Sequence, residues 1–168
     1  HWPKKASIEA WRAMEELYRQ KKVRAIGVSN FSIEYLEMIA NDSEINPMVN
    51  QVERHPFYTQ TDLYQYCAPR NIALEAYSPL AQGDIFEVDA LKNLARKYNK
   101  TIAQIVLRWE LETDYITFPK STHHDRIKEN FEIFDFQLDS EDRDLISGLD
   151  LQKKYGSYPE DTYELDKF

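Results

Sequence analysis

Arg24-Ala25-Ile26-Gly27-Val28-Ser29 is followed by Ser32 and a run of helical spacing. The run is too short and too continuously apolar for a strand with one wet face, so it reads as a buried parallel strand feeding a helix that opens at Ser32. Before it, Ser7 to Lys21 carries Ile8, Trp11, Met14, Leu17 and Tyr18 on one helical face, with Ser7 as the expected N-cap and Arg19, Lys21 and Lys22 near the end. After it the unit recurs. Asn46 to Val52 is strand-like and leads through Glu53-Arg54-His55-Pro56 to a helical Thr61 to Arg70; Asn71 to Tyr77 is a further strand, closed by Ser78-Pro79. A polar loop, Ala81 to Glu87, precedes helices at Ala90 to Tyr98 and Thr101 to Leu111, the second burying Ile102, Ile105, Val106 and Trp109 on one face. Tyr115 to Phe118 is the last strand, and Asp139-Ser140-Glu141-Asp142 signals a final helix through Leu145 and Ile146.

Strands alternating with helices imply a parallel sheet covered by helices, because parallel neighbours need long right-handed crossovers. His1-Trp2-Pro3 reads as the end of a further strand. A closed (β/α)8 TIM barrel needs eight strands, so this α/β chain is expected to supply roughly its C-terminal half.

Composition narrows the function. The 168 residues are 42% hydrophobic, enough for a core, and the net charge of -8 with a pI near 5.0 opposes nucleic acids and anionic membranes. No apolar run approaches membrane-spanning length. Cys67 is the single cysteine, which fits a reducing compartment; a cytoplasmic location is expected. The four glycines, Gly27, Gly83, Gly148 and Gly156, are too scattered for a Rossmann fingerprint or a Walker loop. Any phosphate must then be held by side chains and a helix end.

Phe118-Pro119-Lys120-Ser121-Thr122-His123-His124-Asp125-Arg126-Ile127-Lys128-Glu129-Asn130 offers such an end. It reads as a helix start with Lys120 and Arg126 at its positive pole and Arg126, Glu129 and Asn130 on one face, a setting suited to a phosphate. The competing reading is a solvated Arg126–Glu129 pair. His123 and His124 lack a third ligand at workable spacing, so no metal site is expected. His55, ahead of Pro56, reads as a buried structural histidine, and Glu53 with Glu75 is disfavoured as a glycosidase pair.

Gly27-Val28-Ser29-Asn30-Phe31, Asn50-Gln51-Val52-Glu53, Ala76-Tyr77-Ser78-Pro79-Leu80, Leu107-Arg108-Trp109 and Pro119-Lys120-Ser121 with Arg126, Glu129 and Asn130 together resemble the aldo-keto reductases. Those are NADP(H)-dependent (β/α)8-barrel enzymes that reduce aldehydes and ketones. The resemblance implies that residues 1–168 are the C-terminal part of one barrel domain, with 149–168 as a tail near the substrate pocket. By the same resemblance Ser29, Asn30 and Gln51 bind the nicotinamide carboxamide from strand ends, and Tyr77 stacks on the ring unless it is a core tyrosine. Ser78, Leu80 and Gln82 meet the pyrophosphate; Lys120, Ser121 and Arg126 hold the 2'-phosphate; Glu129 and Asn130 face the adenine. His1 matches the histidine that orients the substrate carbonyl, and Trp2 an aromatic of the substrate pocket.

The family's tyrosine acid, lysine and aspartate have no counterpart in this chain. Two readings follow. In one the chain is part of an NADPH-dependent carbonyl reductase, with a small carbonyl substrate and with the N-terminal barrel half supplied in cis or in trans. In the other it is a non-catalytic half-barrel that binds NADP(H) or assembles with a separate half. On either, this span alone is expected to be inactive.

Overall fold

Lys4-Lys5-Ala6-Ser7 contains nothing that interrupts a helix, and α1 accordingly runs from Lys4 to Arg19 in the computed structural model, which describes residues 4–156. Ser7 is therefore a residue of the first turns and not the N-cap that its type suggested. The chain continues as β1 (Gly27–Ser29), α2 (Ile33–Asp42), β2 (Val49–Glu53), α3 (Thr61–Cys67) with a 3-10 turn at Ala68–Arg70, and β3 (Ala73–Tyr77). After 3-10 turns at Ala81–Glu87 come α4 (Asp89–Tyr98), α5 (Ile102–Glu112), β4 (Tyr115–Thr117), α6 (His124–Phe131) and α7 (Ser140–Ser147). Ser32 caps α2 as expected, without a side-chain bond.

The strands form one four-stranded parallel sheet in the order β1-β2-β3-β4, so each strand pairs with its successor across a helical crossover. β1 lies against β2 with Gly27 opposite Val49, Val28 opposite Asn50 and Ser29 opposite Gln51. Every strand is shorter than its apolar run. β1 is also less buried than the sequence suggested: Ile26 just before it is buried, but Gly27 and Val28 are half-buried and Ser29 is exposed. The physical reason is position, since among the described residues β1 is an edge of this sheet and has a hydrogen-bonded neighbour on one side only.

Among the described residues, contacts divide the chain into two compact units, one of residues 4–52, 61–74 and 156, the other of 53–60 and 75–155. In the first, Trp11, Ile26 and Ile39 form a core with Met14, Val28 and Ile45 packed on it, and the Trp11 indole N–H donates to Ile45 O at 2.9 Å. Glu15, buried on α1, accepts from the backbone N–H groups of Glu44 at 2.9 Å and Ile45 at 2.7 Å. This compensates its burial with charge-assisted bonds and fixes the turn after α2. In the second unit Phe57, Ala81, Ile85, Leu91, Ile105, Trp109 and Ile146 belong to one core. α5 is buried on more than the predicted face, since Ala103, Gln104, Leu107 and Glu110 join Ile105, Val106 and Trp109 below the surface. The segment Ala81–Glu87, read as a polar loop, is anchored by fully buried Ala81 and Ile85.

Gly27 illustrates how closely β1 and β2 approach. A Cβ there would meet the Val49 carbonyl oxygen at 2.7 Å and the Val49 Cβ at 3.1 Å. Gly27→Ala is expected to cost about 1–3 kcal/mol through forced separation of the strands. Urea unfolding checks this, and an unchanged midpoint would contradict it.

Candidate functional site

In the first unit the end of β1 is held down by β2. Asn50 is buried and its carboxamide brackets Phe31, donating through Nδ2 to the Phe31 carbonyl at 2.8 Å and accepting from the Phe31 N–H at 3.3 Å. The Ser29 hydroxyl donates to Gln51 O at 3.0 Å, and the Asn30 N–H donates to the same oxygen at 2.9 Å. Asn30 takes a left-handed φ of 56°, a conformation that asparagine tolerates better than most residues. Ser29, Asn30 and Gln51 are thus brought together. Ser29 and Asn30 sit at and just past the end of β1, whereas Gln51 is the middle residue of β2 and not at its end.

In the second unit Tyr77 is the last residue of β3, half-buried, and its carbonyl accepts from the Arg54 N–H at 3.2 Å. The chain then turns through left-handed residues: Ser78 at φ 53°, Ala81 at 46°, Gln82 at 53° and Gly83 at 106°. Such conformations cost free energy for residues with a Cβ and persist only where the surroundings impose them. Here the Ala81 N–H donates to Ser78 O at 3.0 Å, the Gly83 N–H donates to Leu80 O at 2.8 Å, and Leu80 packs on the core. Exposed Gln82 sits at the bend. Two residues further, Asp84 accepts from the Lys153 ammonium at 2.7 Å and from the Tyr155 hydroxyl, and these bonds, Lys153's first, hold its carboxyl below the usual range.

The predicted phosphate stretch leaves β4 as an extended lead and becomes helical only at His124. Lys120 therefore precedes the helix, while Arg126 is its third residue; both are exposed. Ser121 Oγ accepts the His123 N–H at 3.1 Å, which ties the lead to the helix entrance. The alternative pairing of Arg126 with Glu129 does not form. The Glu129 carboxylate instead accepts from the Thr101 hydroxyl at 2.7 Å, and among the described residues no carboxylate pairs with Lys120 or Arg126. Asn130 is half-buried beside Glu129. His1 and Trp2 lie outside the described residues.

Sequence reasoning missed a buried polar knot in the second unit. Glu53 to Phe57 are all buried, including Arg54 and His55. The Arg54 guanidinium lies between the Trp109 ring at 3.8 Å and the Tyr115 ring at 3.7 Å. It donates to Thr59 O and Thr113 Oγ1, each at 3.0 Å, and to Glu110. Burial pushes the Glu110 carboxyl from the ordinary 4.5 up to about 7, with Arg54 opposing the shift. His55 is the buried structural histidine that the sequence suggested; burial lowers its pKa despite Glu53 at 2.9 Å. Glu53 also accepts the Tyr155 N–H at 2.8 Å, a structural role. The tail up to Tyr155 packs on the same segment, with the Leu151 and Lys153 N–H groups donating to Phe57 O. Cys67 is buried and its thiol is pushed up to about 11, so it is a packing residue. Among the described residues no group of histidine, cysteine or carboxylate side chains could hold a metal ion, and no helix is long and apolar enough to cross a membrane.

The sequence pattern of the Aldo/keto reductase family matches residues 1–150. The chain belongs to the aldo/keto reductase family. It is 48% identical over 162 residues to the glyoxal reductase of Bacillus subtilis (strain 168), covering 96% of this chain and 59% of that protein. It is 40% identical over 165 residues to the methylglyoxal reductase DkgA of Escherichia coli (strain K12), covering 95% and 60%. Among solved structures, the aldo-keto reductase MGS-M4 from a Medee basin deep-sea metagenome library superposes with a TM-score of 0.91 at 39% identity, over 94% of this chain and 59% of that one. A Gox0644 mutant in complex with NADPH gives 0.91 at 36%, over 98% and 62%. The aldo/keto reductase chain thus spans about three fifths of the length of these relatives, and its four-stranded sheet is consistent with half of a barrel.

Proposed function

We propose that this chain is the cofactor-binding part of an NADPH-dependent reductase that converts small aldehydes or ketones to alcohols. α-Dicarbonyls of the kind for which its relatives are named are the first substrates to try. The observation that carries the reading is the pair of exposed cations, Lys120 and Arg126, around the entrance of α6, with no carboxylate of the described residues on either. A helix N-terminus and two cationic side chains match the 2'-phosphate that NADP has and NAD lacks. A bound NADPH supplies the hydride. This chain's own residues hold it: Ser29, Asn30 and Gln51 at the carboxamide, Tyr77 under the nicotinamide ring, Ser78, Leu80 and Gln82 at the pyrophosphate, Lys120, Ser121 and Arg126 at the 2'-phosphate, Glu129 and Asn130 at the adenine. His1 orients the substrate carbonyl and Trp2 lines its pocket, with the 149–168 tail beside it.

The proton donor and the groups that tune it come from the rest of the barrel, in cis or in trans, so this span alone does not turn over. Supporting this, among the described residues β4 ends the sheet with Ile116 exposed, and Ile127, Phe131 and Phe134 present apolar surface nearby in sequence. A cytoplasmic location completes the proposal. Titration of the chain with NADPH and with NADH is the test. Binding at least tenfold tighter for NADPH is expected, given about 1.5–3 kcal/mol per hydrogen bond to a charged group; equal affinities would refute the reading, as would steady NADPH oxidation by the monomer with an aldehyde.

A further inference from the structure

Thr101-Ile102-Ala103-Gln104 opens α5 with a reciprocal capping box: Thr101 Oγ1 accepts the Gln104 N–H at 3.3 Å, and Gln104 Oε1 accepts the Thr101 N–H at 3.0 Å. A capping box uses only the acceptors of these two side chains. Their donors are spare, and both are spent on α6. The Thr101 hydroxyl donates to Glu129 Oε1 at 2.7 Å, and Gln104 Nε2 donates to the carbonyls of Glu129 at 3.0 Å and Glu132 at 3.1 Å. Lys100, next in sequence, adds a bond to Glu132 O at 3.4 Å and an ion pair with Asp135 at 2.7 Å. The start of one helix thus grips the end of the other, at both the backbone and the carboxylate of Glu129.

We propose that Thr101 is a positioning residue for purine recognition: by engaging Oε1 of Glu129 it sets that carboxylate so that Oε2 accepts from the exocyclic amine of an adenine, and so selects a 6-aminopurine over a 6-oxopurine. This rests on the reading that Glu129 faces the adenine of the cofactor. The chemistry is one-directional. A carboxylate accepts from an amino group, whereas a 6-oxo group presents an oxygen to it, and two acceptors facing each other repel. Fixing the carboxylate in advance removes the rotamer freedom that binding would otherwise have to freeze. Thr101 is suited to this because one hydroxyl both accepts, as a cap, and donates.

The two roles of the hydroxyl separate by substitution. Thr101→Ser keeps cap and donor. Thr101→Asp keeps the cap, since aspartate is among the preferred N-caps, but removes the donor and sets a second negative charge against Glu129. The full chain and both variants are titrated with NADPH and with its analogue carrying hypoxanthine in place of adenine, and their melting temperatures are recorded. The unchanged chain and Thr101→Ser are expected to prefer NADPH by about tenfold, the worth of one hydrogen bond to a charged group. Thr101→Asp is expected to lose that preference while melting within a few degrees of the parent. A preference retained in Thr101→Asp overturns the proposal, and so does a parent chain that binds both dinucleotides equally. A parent chain that binds neither overturns instead the functional reading on which the proposal stands.

Discussion

Arg54→Leu is expected to lower the unfolding free energy by roughly 3–5 kcal/mol at pH 8, the scale for removing one partner of a buried ion pair. Arg54 and Glu110 are both buried, and the guanidinium is further held by two ring faces and by Thr59 and Thr113. Without it the Glu110 carboxylate has no counter-charge. The pH dependence identifies the mechanism. Because Glu110's folded value is raised to about 7 above the ordinary 4.5, the folded state binds more protons than the unfolded one between those values. Its contribution to stability is therefore greatest at low pH and falls as pH rises through that window. In Arg54→Leu the counter-charge that opposed the shift is gone, the carboxyl stays neutral to higher pH, and the deficit should shrink at pH 5. Urea unfolding at pH 5 and pH 8 measures both, and adding Glu110→Leu should restore most of the loss at pH 8. A deficit independent of pH, or a double variant no better than the single one, would show that the loss is one of packing alone.

The Lys120→Ala, Arg126→Ala double variant is expected to bind NADPH about a hundredfold more weakly while leaving NADH binding within a factor of three. On the proposed reading each cation contributes a charge-assisted contact to the 2'-phosphate, and two such contacts multiply. Both residues are exposed and pair with no carboxylate among the described residues, so their removal strips no structural bond, and an unchanged melting temperature is part of the expectation. Raising the salt concentration should weaken NADPH binding to the parent chain and leave the variant nearly insensitive. If NADH and NADPH affinities fall together, the cations act on the shared part of the dinucleotide and their assignment to the 2'-phosphate is wrong.

Much of the helix placement was legible because 3.6-residue periodicity survives in a single sequence. α4, α5 and α7 begin within a residue or two of the spans read from spacing, and Ser32 caps α2. Strand lengths were not, because an apolar run says that residues avoid water and not where ladder pairing stops. The burial of Glu53 and Arg54, next to the one residue of that run expected to be buried, His55, was not legible. Only the arrival of Glu110, Trp109 and Tyr115 from distant positions offsets the cost of burying the Arg54 charge. Glu129 is similar: spacing within the helix offered Arg126 as its partner, whereas the hydroxyl that holds it comes from Thr101, 28 residues earlier. The signal for that capping box, a threonine followed three residues on by glutamine, was present in the chain.

By itself the sequence determined the alternation of strand and helix, the family, and the residue types that suit a phosphorylated dinucleotide, because local periodicity and ordered motifs need no knowledge of distant contacts. Only the tertiary structure decided which polar groups are spent on the fold and which are left facing solvent. Glu53, Arg54, Glu110 and Asn50 are consumed by partners, while Lys120 and Arg126 face solvent. Desolvation and hydrogen-bond geometry depend on what the rest of the chain brings to each site, and that is fixed only once the chain has folded.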